Sequence, residues 1–144
     1  MKKISSSLQL FITMAKVNAV MTRRFDGRLG SLGFTDFMIL YYLSQSSEEK
    51  LRRVDLADKI GLTASGVTRL LAPMEKIGLV KREANSADAR VSFVTLAPSG
   101  KRMLGEFMER AELLSDEVIP NDKHKKLDDF QSLLNEIGGN ILWN

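Results

Sequence analysis

Residues 56–104 read LADKIGLTASGVTRLLAPMEKIGLVKREANSADARVSFVTLAPSGKRML, and this stretch decides the fold. Apolar side chains recur every three or four residues in two short runs, which predicts two helices. The first helix ends at Gly61, and the second begins after Thr63, a suitable N-cap, and extends to Gly78. Two short helices joined by a glycine-containing turn are typical of a helix-turn-helix. The apolar residues that mark the first helix are Val54, Leu56, Ala57 and Ile60, and the predicted buried stripe of the second is Val67, Leu70, Leu71, Met74 and Ile77.

A β-hairpin is predicted directly after this helix pair. Residues 79–82 and 91–96 are β-branched or alternating in character, and the polar residues 83–90 separate them. The hairpin therefore has the position of a wing. Pro98 suits the first turn of a further helix, which Pro120 ends.

Helices are also predicted on both sides of this core. The apolar pattern gives one helix over about residues 4–28, one over 37–43 with Thr35 as its N-cap, and a last one over about 127–141. Terminal helices with apolar stripes often pack against a second copy of the chain. The predicted fold is mainly α with a small β wing. Its parts are an N-terminal dimerisation helix (1–34), a winged helix-turn-helix DNA-binding domain (35–100) and C-terminal dimerisation helices (101–144).

Composition excludes several classes of protein. The 144 residues are 44% hydrophobic and 27% charged, as in an ordinary soluble domain. The chain has no cysteine, which excludes disulfides, thiol catalysis and thiol redox sensing. No apolar run reaches the ~18 residues of a membrane span. Because the chain has no cysteine, we expect a cytoplasmic protein.

Catalysis, metal binding and cofactor binding are not expected either. The sequence has no nucleophile elbow, P-loop or dinucleotide fingerprint. Its one histidine, His124, lies among lysines and is expected to be solvated rather than a metal ligand.

Basic charge is concentrated in the centre of the chain. The overall net charge is +3, but residues 50–102 hold eleven Lys and Arg against five Asp and Glu, a net charge of +6. A solvated cationic surface would be the ordinary explanation. Because the charge coincides with a helix-turn-helix and a wing, we instead expect contacts with the phosphates of a nucleic acid.

The second helix of the pair supplies the candidate base-reading residues. Its N-terminal turns leave a polar face free of the apolar stripe, and Arg on such a face can read guanine in the major groove. Arg69 is the first choice for this role, whereas capping is the expected principal role of Thr63. The candidates are Thr63, Ala64, Ser65, Thr68 and Arg69.

The wing supplies a second set of candidates. Asp88 and Arg90 are two residues apart, so on an extended strand they would share a face and could pair. Such a pair could aim the arginine at a minor groove or a phosphate. It could equally be a surface salt bridge with no function, and the spacing alone does not decide between the two. The remaining wing candidates are Lys81, Arg82 and Ser86.

The quoted segment resembles the DNA-binding core of the MarR family of transcriptional regulators. The matching motifs are VTRL at 67–70, IGLV at 77–80 followed by Arg82, DAR at 88–90, and residues 96–100. The resemblance implies a homodimer joined through its terminal helices. It also implies that the recognition helices enter successive major grooves of pseudo-palindromic double-stranded DNA and that Asp88 orients Arg90. Pro73 within the recognition helix and Ala97 before the next helix depart from the family pattern.

The resemblance also suggests how activity is regulated. Repression is the commoner behaviour in this family, and many members respond to a small aromatic or phenolic effector bound between the dimerisation helices and the DNA-binding lobe. Release by such an effector is therefore an expectation for this chain, with no pocket assigned. The alternative is a winged helix that binds a protein partner or structured RNA.

Overall fold

A computed structural model describes residues 1–143 of the chain. The helices and the two wing strands follow the predicted order, with short 3-10 turns at Ser47–Glu49 and Asn121–Lys126. The prediction of a mainly helical chain with a small β wing is confirmed. The elements are α1 Ser6–Asp26, α2 Phe34–Ser44, β1 Lys50–Arg52, α3 Arg53–Ile60, α4 Ala64–Lys76, β2 Val80–Ala84, β3 Ser92–Leu96, α5 Pro98–Val118 and α6 Leu127–Trp143.

The chain divides into two compact units. The first comprises Met1–Ala111 and holds the whole helix-turn-helix and the sheet, and the second begins at Glu112. None of the helices in residues 1–143 is both long and apolar enough to cross a lipid bilayer.

The predicted cap of α4 is confirmed. Thr63 has extended backbone angles, and its Oγ1 accepts a hydrogen bond from the Gly66 backbone N–H at 3.1 Å. This bond satisfies one of the free N–H groups in the first helical turn. The helix then continues through Pro73 to Lys76.

The predicted cap of α2 at Thr35 is wrong. The helix begins at Phe34, with Gly33 as its N-cap. Two carboxylates explain the earlier start: Asp36 accepts from the Gly33 N–H at 3.0 Å, and Asp26 accepts from the Phe34 N–H at 2.7 Å. These acceptors replace the hydroxyl of Thr35 as partners of the first turn.

The sheet has three antiparallel strands in the order β1-β3-β2. Val80 lies opposite Leu96 and Arg82 opposite Val94 in the β2–β3 hairpin, while Leu51 of β1 also lies opposite Val94. Strand β1 pairs with β3 of the wing, and it ends at Arg52, the residue immediately before α3. The base of the wing and the start of the helix-turn-helix are therefore adjacent.

Most of the predicted core is observed. Leu56 and Ala57 of α3 are buried with Val67, Leu71 and Met74 of α4. One position of the predicted buried stripe is wrong, because Ile77 is 58% exposed; Val54, which only marked the first helix, is 49% exposed. Val54 lies in the first turn of α3 and Ile77 is the C-cap of α4, so neither lies on the packed middle of its helix.

The start of α5 is packed tightly against the wing. The Ala97 N–H donates to the Leu79 carbonyl at 3.0 Å, and a Cβ placed on Gly100 would overlap that same carbonyl oxygen. Glycine is thus required at position 100 because the helix approaches the backbone before β2 at close range.

Candidate nucleic-acid interface

One face of α4 is exposed along its first two turns. On the opposite face Val67 and Leu71 are buried, so this side of the helix packs against the rest of the domain. The exposed positions include all five residues predicted on this helix: Thr63, Ala64, Ser65, Thr68 and Arg69.

The hydroxyl groups on this face already have partners. Thr63 Oγ1 and Ser65 Oγ are 3.1 Å apart, in addition to the capping bond of Thr63. Thr68 Oγ1 donates to the Ala64 carbonyl at 3.0 Å and accepts from Arg53 Nη1 at 2.8 Å. The methyl group of Thr68 is then the part of this side chain suited to apolar contact with a thymine methyl.

Arg69 is an exposed cation near the start of the recognition helix. Its side chain is exposed and has no hydrogen-bond or ion-pair partner among the described residues. Arginine carries a planar fork of donors that matches the O6 and N7 acceptors of guanine. Of the five predicted residues, it has the greatest freedom to meet a base edge.

Arg53 and Glu75 are residues that the sequence did not identify. Arg53 Nη2 lies 3.4 Å from Glu75 Oε1, and Glu75 Oε2 lies 3.9 Å from Arg82 Nη2. The side chain of Arg53 is only 19% exposed, and its Nε is buried without a hydrogen-bond partner. These contacts join α3, α4 and β2 through one carboxylate, and Arg82 is turned toward α4.

The wing aspartate and arginine form the predicted pair. Arg90 Nε and Nη2 lie 3.1 and 3.3 Å from the two carboxylate oxygens of Asp88, and the Arg90 backbone N–H donates to Oδ1 at 3.0 Å. The side chain of Arg90 is nevertheless 90% exposed. Residues 88–90 lie in a turn and not on an extended strand, so the predicted geometry is wrong although the pairing is confirmed.

The electrostatics of the wing pair follow from these bonds. The side-chain hydrogen bond from Arg90, and next the backbone N–H of the same residue, lower the pKa of Asp88 below its usual value. The carboxylate therefore stays charged, and holds the guanidinium, to a lower pH than an ordinary aspartate would.

The other wing candidates flank this turn. Lys81 is exposed on β2, where its carbonyl accepts from Thr95 Oγ1 at 3.2 Å. Ser86 is exposed at the tip, beside a turn in which the Ala87 N–H donates to Asn85 Oδ1 at 2.8 Å. Within residues 1–143, no group of three His, Asp or Glu residues is arranged to hold a metal ion.

The fold and this site define a winged helix-turn-helix protein with an exposed recognition helix and a cationic wing. A sequence profile of the MarR family matches residues 34–92. The transcriptional repressor YetL of Bacillus subtilis is 28% identical over 137 residues, which cover 92% of this chain and 81% of YetL.

Solved structures agree with the profile. The transcriptional regulator BldR of Sulfolobus solfataricus is 32% identical, with 94% of this chain and 99% of that chain covered and a TM-score of 0.79. A mutant of MarR from Escherichia coli, complexed with operator DNA, is 18% identical over 95% of this chain and 99% of that chain, with a TM-score of 0.81. The second likeness is one of fold alone.

The chain belongs to the MarR family, whose members are transcriptional regulators and not enzymes. It is accordingly a DNA-binding transcriptional regulator of the MarR type.

Proposed function

We propose that this protein represses transcription by binding, as a homodimer, to a pseudo-palindromic operator in double-stranded DNA. The observation that carries the proposal is the state of Arg90, which is almost fully exposed and yet held at two nitrogens by Asp88. An exposed arginine normally loses much side-chain freedom when it binds. Because the pair fixes the guanidinium in advance, less freedom remains to be lost at a minor groove or a phosphate.

The recognition helix supplies the sequence preference in this proposal. Arg69 reads a guanine, while Thr63, Ala64, Ser65 and Thr68 shape the contact with neighbouring bases and phosphates. Three further wing residues contact the phosphates of the DNA backbone beside Arg90: Lys81, Arg82 and Ser86. Arg82 also fixes the wing strand to α4 through Glu75.

Exposed apolar side chains on α1 support the homodimer. Leu8, Phe11 and Ile12 are three and four residues apart and so share one helix face, which a monomer would leave in water. A second copy of the chain covers such a face with twofold symmetry, which in turn requires two inverted half-sites in the DNA.

The relatives support repression rather than activation. YetL is named a repressor, and the E. coli MarR mutant was crystallised with operator DNA. In this proposal the dimerisation helices lie in residues 1–34 and 101–144, before and after the binding domain 35–100 in the sequence. Release by a small aromatic or phenolic effector stays a prediction.

Selection of duplexes from a random pool tests this function. We expect an inverted repeat whose half-sites are centred about 10 base pairs, or a multiple of that distance, apart. Recovered duplexes without a common sequence, bound no better than the starting pool, would contradict the proposal. That result would favour the alternative in which the winged helix binds a protein partner or structured RNA.

A further inference from the structure

A cleft of about 220 Å³, lined by three arginines, lies where the start of α3 meets the wing turn. It is distinct from the base-reading face of α4. Its lining contains three guanidinium-bearing side chains and one hydroxyl, and no carboxylate is among the lining residues. These residues are Arg52, Arg53, Val54, Arg90, Val91 and Ser92.

Arg52 in this cleft is held in the same way as Arg90. Its Nε lies 2.7 Å from Asp55 Oδ2 and its Nη2 lies 2.9 Å from Asp55 Oδ1, a bidentate pair. The side chain of Arg52 remains half exposed. The hydrogen bond to Asp55 raises the pKa of Arg52, and the same bond lowers the pKa of Asp55.

Two arginines, each fixed by a carboxylate, therefore line one cleft. In both pairs Nε and Nη2 face the aspartate, which leaves Nη1 as a donor without a carboxylate partner. Donors fixed in this way bind a planar or tetrahedral oxyanion without first being ordered.

Arg53 has a different role in the same cleft. Its Nη1 and Nη2 donate to Thr68 and Glu75 on α4, so they are committed to the packing of the two helices. Arg53 therefore forms part of the cleft wall, while Arg52 and Arg90 contribute available donors.

The position of the cleft indicates which anion it meets. In a helix-turn-helix the first helix crosses the DNA backbone while the second lies in the major groove, and here the first helix is α3. The wing, on the other side of the cleft, carries Arg90. A phosphodiester that passes between the recognition helix and the wing would meet Arg52.

We propose that this cleft is a binding site for one backbone phosphate of the operator duplex, with Arg52 as a second arginine positioned by an aspartate. The proposal rests on the proposed function, because the phosphate belongs to the DNA that α4 and the wing bind. The contact strengthens binding without reading sequence.

The test compares Arg52→Ala with wild type across a salt series. The probes are a duplex recovered by the selection above and a scrambled duplex of equal length. We expect Arg52→Ala to weaken binding to both by a similar factor of about ten, and to reduce the slope of log affinity against log salt by about 0.9. Lys125→Ala, which removes an exposed cation outside the winged helix, should leave the slope unchanged.

The Asp55→Asn variant tests whether Asp55 acts by positioning Arg52 or only through its own charge. This change raises the net charge by one, so charge alone predicts tighter binding to DNA. If Asp55 positions Arg52, binding instead becomes weaker on both duplexes. Thermal melting of each variant shows whether its fold is retained at the binding temperature.

The outcomes distinguish this proposal from the proposed function. A wild-type protein that prefers the selected duplex, together with an Arg52→Ala variant of unchanged slope, overturns the phosphate site alone. Tighter binding by Asp55→Asn overturns the positioning role. A wild-type protein that binds neither duplex overturns both the site and the function.

Discussion

The guanidinium of Arg53 on α3 donates to the carboxylate of Glu75 on α4, with 3.4 Å between Nη2 and Oε1. The second oxygen of that carboxylate faces Arg82 on β2. One side chain therefore links both helices of the helix-turn-helix to the wing strand. This carboxylate helps to hold the recognition helix and the wing in their relative positions, on which DNA binding depends.

We expect Glu75→Gln to lower the free energy of unfolding by about 1–3 kcal/mol, because a mostly buried arginine loses its charged acceptor. Urea unfolding measures the change. Asp122→Asn breaks an exposed ion pair with Lys123 and should alter the free energy by less than about 0.5 kcal/mol. Equal effects of the two substitutions would contradict this role of Glu75.

Alanine substitutions at two glycines of α5 give a second matched comparison. Gly100→Ala places a methyl group against the Leu79 carbonyl, and such overpacking should cost about 1–3 kcal/mol or more. No atom lies within 4 Å of a Cβ placed on Gly105, so Gly105→Ala should stabilise the helix by about 0.5–1 kcal/mol. Thermal melts compare the two. A Gly100→Ala variant as stable as wild type would show that the tight contact is absent.

Contacts between residues that are close together in the sequence could be predicted. The cap at Thr63 and the Asp88–Arg90 pair each join residues no more than three apart, so they could be found from spacing. The Arg52–Asp55 pair has a similar spacing and could have been identified by the same reasoning.

Features that join distant residues could not be predicted. Asp26 accepts from Phe34, eight residues later, which moved the start of α2 away from Thr35. Arg53 and Glu75 are 22 residues apart, and only the packing of α3 on α4 brings them together. For the same reason the bond from Arg53 to Thr68 was not foreseen.

The wing pair has a pH dependence of known sign. Because Arg90 lowers the pKa of Asp88 in the folded protein, the pair is fully formed above the ordinary pKa of aspartate and is lost as pH falls through the lowered value. We expect Arg90→Ala to move the titration midpoint of the Asp88 carboxyl to higher pH. Carbon-detected NMR titration of both proteins measures the shift. An identical midpoint in the two would mean that the pair does not form in solution.

Dimerisation through α1 predicts a specific change in mass. Wild-type protein at micromolar concentration should sediment at about twice the 16.1 kDa chain mass. Phe11→Glu places a charge on the apolar face of α1 and should shift the protein toward the mass of one chain. Gln9→Glu introduces the same charge beside that face and should shift it less. A wild-type protein that sediments as a single chain would contradict the homodimer.

The central claim is that the recognition helix reads the sequence while the wing arginine, positioned by Asp88, strengthens the contact. The most direct test measures the binding of wild type, Arg69→Ala and Arg90→Ala to the selected and scrambled duplexes across a salt series. We expect Arg69→Ala to lose about 1–3 kcal/mol on the selected duplex and little on the scrambled one. Arg90→Ala should weaken binding to both and reduce the salt slope. The claim would be contradicted if neither variant bound more weakly and wild type showed no preference between the duplexes.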